Sequence, residues 1–90
     1  MTTTIKWDPK AREFLRKLPK DISKRIIKKV DKDVKANVQR YLDTLAGKDY
    51  FKIRIGDYRL FADYYQKEDL LIIRTGRHRK EAYKKHIFSD

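Results

Sequence analysis

The sequence predicts an α+β fold: a helical hairpin packed on one face of a small, mostly antiparallel sheet. The order is β-α-α-β-β-β, with a short C-terminal helix or arm. Three observations lead there. Apolar residues recur at helical spacing through the first half of the chain, at Ala11, Phe14, Leu15 and Leu18 and again from Ile22 to Leu45. The stretch YFKIRIGDYRLFADYY, Tyr50 to Tyr65, alternates in strand fashion around Gly56-Asp57. A third run, Leu70 to Thr75, is apolar on both sides and bounded by polar residues and Gly76. With 90 residues there is room for one modest core, so a single domain over 1–90 is expected.

Each element has a local reason. Thr3 to Trp7 carries β-favouring Thr, Ile and Trp and reads as a first strand. Asp8-Pro9 is a helix start, in which Asp caps and Pro gives up a donor that had no partner. Pro19 ends this first helix, and Asp21 is placed to cap the next. The second helix is expected to run along Ile22, Ile26, Val30, Val34, Val38, Tyr41, Leu42 and Leu45 to a glycine stop at Gly47. At 1.5 Å per residue it would span on the order of 35 Å. Both apolar stripes need cover, which the sheet supplies.

Gly56-Asp57 suits a two-residue type II′ loop. Ile55 then faces Tyr58, Arg54 faces Arg59, Ile53 faces Leu60 and Lys52 faces Phe61. Paired residues share a face. Ile53, Ile55, Tyr58 and Leu60 line the core side, while Lys52, Arg54 and Arg59 gather on the other. Like charges set opposite one another weaken a sheet. An anionic ligand accounts for that arrangement better than folding does.

The charge balance points the same way. Twenty-four Lys and Arg against 13 acids give a net charge of +11, spread over both halves of the chain. Such a field steers a protein toward nucleic acid, an anionic membrane or an acidic partner. A heat-adapted surface also carries many charges, but it would not leave acids at about half the number of bases. No apolar run is long enough to span a membrane and no signal peptide is evident, so a cytoplasmic location without membrane association is expected.

Several chemistries lack their residues. There is no cysteine, and the two histidines, His78 and His86, have no carboxylate partners at metal-ligand spacing, so neither metal nor cofactor is expected. Three glycines form no phosphate loop, and Ser23 and Ser89 lie in no nucleophile motif. Lys, Arg, Tyr and His remain. They suit cleavage of RNA by its own 2′-hydroxyl, which needs a base, cations around the phosphorane and an acid for the leaving 5′-oxygen. A lysine crowded by two arginines has its charged form disfavoured, which fits Lys52 for the base. Arginine forks match phosphate oxygens. Tyr83 could transfer a proton, stack on a base or simply anchor the tail. Arg54 and Arg59 would also suit a solvated outer face.

The strings KIRIGDYRLFADY and IIRTGRHRKEAYKK resemble the RelE/ParE superfamily of toxins. The resemblance covers nearly the whole chain and includes the Leu18-Pro19 break between the helices. It implies a toxin of a type II toxin–antitoxin pair. In the RelE-type branch such toxins cut mRNA in the ribosomal A site and are neutralised by an acidic RelB-type antitoxin. By position, Lys52 and Arg54 match the family's basic pair, Arg59 its Tyr-Arg arginine, and Tyr83 its C-terminal tyrosine. Its remaining arginine falls on Arg77 or Arg79. The basic tail, with Lys80, Lys84 and Lys85, is expected to bind RNA. The ParE-like branch, which poisons DNA gyrase, and a non-catalytic basic binding module are the alternatives.

Overall fold

The computed structural model describes residues 3–82. The predicted class holds: helices lie on one face of a five-stranded sheet in which only one pair is parallel. Strand β1, Thr4–Trp7, leads into α1, Pro9–Arg16. Asp8 occupies the N-cap with extended backbone, and its carbonyl accepts the Arg12 N–H at 3.0 Å. Its carboxylate makes no cap bond and accepts instead from Arg74 at 3.3 Å. The expected side-chain cap is thus replaced by a tie to the sheet.

Helix α2, Lys20–Lys29, begins at Pro19, so Asp21 sits in its first turn and is not the cap. The single long helix expected as far as Gly47 does not form. The chain passes through a π-helical turn, Val30–Val34, breaks at Asn37 with φ −153°, and makes only a short α3, Val38–Tyr41. The apolar pattern supplies a reason. Ile22, Ile26, Val30, Val34 and Val38 recur at a strict four residues, and an ideal helix drifts about 40° per such step. The wider π turn holds the stripe against the sheet, with Val30 and Val34 fully buried. Asn37 then offers the backbone an alternative to helix. Leu42 is extended and opens a two-residue strand β2, Asp43–Thr44, while Gly47, with φ +72°, turns the chain after it.

The hairpin forms as expected. Strands β3, Phe51–Ile55, and β4, Tyr58–Tyr65, pair Ile55 with Tyr58, Arg54 with Arg59, Ile53 with Leu60 and Lys52 with Phe61. Gly56 has φ +56° and Asp57 does not have positive φ, as a II′ loop requires. Strand β5, Leu70–His78, runs past Gly76, where it was expected to stop. The sheet order is β1-β5-β4-β3-β2, which places β5 inside the sheet, as its two apolar sides imply.

Gly76 continues the strand because the Phe14 ring takes the space of its missing side chain. A Cβ there would lie 2.4 Å from the ring. Between α1, α2 and the sheet lie Ala11, Ile26, Val30, Val34, Ile53, Leu60, Leu71 and Ile73, all essentially buried. Each large aliphatic among them contributes about 1.5–3 kcal/mol by leaving water. At the far end Asp69, with φ +49°, accepts from the Thr3 hydroxyl and the Tyr64 hydroxyl, both at 2.7 Å.

A β-bulge between Phe61 and Ala62 decides what faces where. Ala62 pairs with Ile73 and Phe61 with Thr75, so Arg74 is one residue too many. Leu71 and Ile73 face the helices. Unbroken alternation would turn Thr75 and Arg77 toward them as well. The extra residue reverses the phase, so Gly76 and His78 share the helix side and Arg77 falls opposite Arg59.

Candidate functional site

Three arginines stand in one row across adjacent strands. Arg54 on β3 pairs with Arg59 on β4, and Arg59 pairs in turn with Arg77 on β5. Paired residues share a face, and neighbouring strands lie about 4.8 Å apart, so the row is about 10 Å wide. Lys52, two residues along β3 from Arg54, is on the same face about 7 Å away.

The middle arginine is the constrained one. Arg59 is 6% exposed, and its Nη1 donates to the carbonyls of Gly56 at 3.2 Å and Tyr58 at 3.1 Å. The turn thus grips one edge of the guanidinium. Arg77 is held similarly, with its Nη1 donating to Thr75 Oγ1 at 3.0 Å and the Gly76 carbonyl at 2.8 Å. Arg54 is exposed. Phe61, beside Arg59 on this face, is buried, and the Tyr50 ring meets it edge-on with centroids 5.9 Å apart. The face opposite the helices is therefore not the uniformly open surface that alternation suggests: Arg59 and Phe61 on β4 are buried, Lys52, Thr75 and Arg77 beside them are half-buried, and Arg54 is exposed.

Nearby carboxylates are committed elsewhere. Asp63 accepts from Arg74 Nε at 2.7 Å, and Asp57 lies 3.5 Å from Arg79 Nε. Among the described residues no ion pair reaches Arg54, Arg59, Arg77 or Lys52. Asp43 on β2 is the cross-strand partner of Lys52. Among the described residues the buried Arg59 guanidinium meets two carbonyls and no carboxylate, and it stands between two more of its kind with five donors to satisfy. An anion with several oxygens fits both needs, and planar forks select a phosphate or a carboxylate.

The structure brings together Lys52, Arg54, Arg59 and Arg77. It separates Arg79, which begins the short α4, Arg79–Ala82. The Arg79 backbone N–H donates to the Asp57 carbonyl at 2.7 Å and its side chain leans to the Asp57 carboxylate at 3.5 Å. Lys80 is exposed on α4, and its N–H donates to His78 Nδ1 at 3.1 Å. Tyr83, Lys84, Lys85 and His86 lie outside the described residues. Two features went unseen in the sequence: the register of Arg77, which depends on the bulge, and Asp43 opposite Lys52, which depends on a two-residue strand inside an apparent helix.

Residues 5–83 match the family model of the ParE toxin of the type II toxin–antitoxin system parDE. The chain belongs to this toxin family, within the RelE/ParE superfamily. Solved toxin structures share the family fold. A chain of the RelBE2 toxin–antitoxin complex from Mycobacterium tuberculosis is 25% identical, with a TM-score of 0.81 over 88% of this chain and 100% of that one. A chain of the archaeal RelE–RelB complex from Pyrococcus horikoshii is 24% identical, with a TM-score of 0.67 over 88% and 97%. The isolated RelE toxin of E. coli is 16% identical, with a TM-score of 0.67 over 97% and 92%. None of the curated proteins matches by sequence. Among the toxin's described residues no helix is long and apolar enough to cross a membrane.

Proposed function

We propose that this toxin is a ribosome-dependent endoribonuclease that cuts mRNA in the A site, acting in the cytoplasm. The observation that carries the reading is the in-register row Arg54–Arg59–Arg77, centred on a buried guanidinium and reached by no ion pair among the described residues. Attack of a 2′-oxygen on the adjacent phosphorus collects negative charge on the non-bridging oxygens. Cations already fixed around that point stabilise the transition state without reorganising.

In this reading Arg59 and Arg54 hold the phosphate, and Arg77 neutralises the charge that develops. Arg77 takes the role in preference to Arg79, because Arg77 is in the row and Arg79 is engaged by Asp57. Lys52 removes the 2′-hydroxyl proton. Tyr83 orients the reacting nucleotide or protonates the 5′-oxygen as it leaves. The products are a 2′,3′-cyclic phosphate and a free 5′-hydroxyl. Lys80, Lys84 and Lys85 add contacts to RNA phosphates, and a cognate acidic RelB-type antitoxin neutralises the toxin. Relatives solved as RelB–RelE complexes support such a partner. Primer-extension mapping on programmed ribosomes tests the reading: wild type leaves A-site cuts and Arg59→Ala leaves none.

The family model supports a second reading, a ParE-like inhibitor of DNA gyrase. A supercoiling assay separates the two. The gyrase reading predicts inhibition that survives Lys52→Ala and needs no ribosome. A non-catalytic basic binding module would bind RNA and do neither.

A further inference from the structure

Beside the arginine row, β1 and β5 differ in length, and the difference opens a groove. β1 accompanies β5 only from Leu70 to Ile73, because Asp8 and Pro9 turn the chain into α1. Beyond Ile73 the neighbour of β5 on that side is α1, whose Phe14 rests on Gly76. Between them lies a groove of about 780 Å³ that includes Lys10, Phe14, Lys17, Tyr58, Arg77 and His78 in its lining.

Two chemistries meet in it. Phe14, Tyr58 and His78 form a run of edge-to-face rings, with centroids 6.0 Å apart for the first pair and 5.1 Å for the second. Lys10 and Lys17 flank the run with positive charge, Arg77 lines the groove from the other face of β5, and the one acid in the lining, Glu13, is already paired with Arg16. Aromatic surface framed by cations is the pattern that takes single-stranded nucleic acid, since every base has a π face and every link a phosphate. An acidic peptide offers a ring beside its anionic groups only where its sequence supplies one, whereas every nucleotide carries a base beside its phosphate. Arg77 lines this groove and stands in the row on the opposite face, so one strand passing over the edge of β5 beyond Ile73, where β1 no longer pairs, can occupy the two in succession.

We propose that the α1–β5 groove binds one unpaired nucleotide of the RNA, adjoining the phosphate held by the arginine row. The groove thereby deepens the ribonuclease reading, on which it rests, by adding a base-reading subsite. Lys10 and Lys17 contact the flanking phosphate, and the Tyr58–His78 wall contacts the base.

The probe is a fluorescein-labelled 2′-O-methyl oligouridylate, which cannot be cut because its nucleophile is blocked. It is compared with the same oligomer carrying abasic positions, by anisotropy on the full chain. Wild type should prefer the base-bearing oligomer by about tenfold, a usual stacking effect. His78→Ala should remove the preference and leave abasic binding unchanged. Lys10→Glu/Lys17→Glu should weaken both oligomers. Absence of the preference in wild type, or its survival in His78→Ala, overturns the proposal. So does a Lys10→Glu/Lys17→Glu chain that binds RNA normally but escapes an antitoxin, which would assign the groove to protein. Ribosome cleavage by wild type reports separately on the arginine row. Cutting without base preference removes the groove alone, and base preference without cutting removes the ribonuclease reading alone.

Discussion

Replacing Arg59 by methionine should make the toxin's stability less sensitive to salt while removing its proposed activity. Arg59 has an arginine partner on each side. With long side chains splayed to about 8 Å, two unit charges repel by about 2 kcal/mol in an effective dielectric of about 20. Salt at physiological strength reduces each term to under half, leaving about 1.5 kcal/mol for the two pairs. The substitution also loses the bonds from Nη1 to Gly56 and Tyr58, worth about 1–3 kcal/mol together. Methionine keeps the apolar stem in its buried position. The two terms offset each other to within about 1–2 kcal/mol, so the diagnostic quantity is the salt response. Raising salt relieves the repulsion by on the order of 1 kcal/mol, roughly 4–8 °C in Tm for a chain this size, only where Arg59 is present. Thermal melts by circular dichroism at about 0.05 M and about 0.5 M sodium chloride test it. Wild type should gain stability with salt, and Arg59→Met should respond less. An equal salt response in Arg59→Met would show that the row carries no unrelieved repulsion, and the inference of an anion site would fail.

Other substitutions probe single contacts. Arg77→Ala should lower single-turnover cleavage by about 10²–10³, the usual effect of removing one transition-state donor, whereas Arg79→Ala should keep most of the rate. Equal losses would contradict the separation of the two seen in the sheet register. Gly76→Ala should cost about 1–3 kcal/mol in denaturant melts, because its Cβ would meet the Phe14 ring at 2.4 Å; Gly76→Ala with Phe14→Leu should recover part of that. Hydrogen bonds from Thr3 and then Tyr64 hold the Asp69 carboxyl below its ordinary 3.8. A lowered folded value gives stability that is present above 3.8 and lost as pH falls through the folded value. Melts between pH 5 and pH 2 should therefore fall less steeply for Asp69→Asn than for wild type, and parallel curves would count against the assignment.

How far the sequence reached is clearest in the strands. The Gly56-Asp57 loop fixed the phase of β3 and β4, so Arg54 opposite Arg59 was legible from alternation and turn chemistry alone. Arg77 was not, because a bulge at Phe61/Ala62 reverses the phase of β5, and no local residue marks a bulge two strands into a sheet. The length of the second helix was overestimated for a related reason. A stripe at strict four-residue spacing looks like one helix, yet the chain keeps it on the core by widening to a π turn and then breaking at Asn37. Asp43 therefore surfaced opposite Lys52 in place of lying on a helix. In each case tertiary packing overrode a local pattern.

The placement of Lys52, Arg54, Arg59 and Arg77 on one face has its plainest chemical consequence in the ends of cut RNA. Purified toxin on ribosomes programmed with a defined mRNA should give A-site fragments ending in 2′,3′-cyclic phosphate, and Arg59→Met, though folded, should give none. Intact mRNA from wild type, alongside inhibited gyrase supercoiling, would contradict the account and transfer the toxin to the other branch of its superfamily.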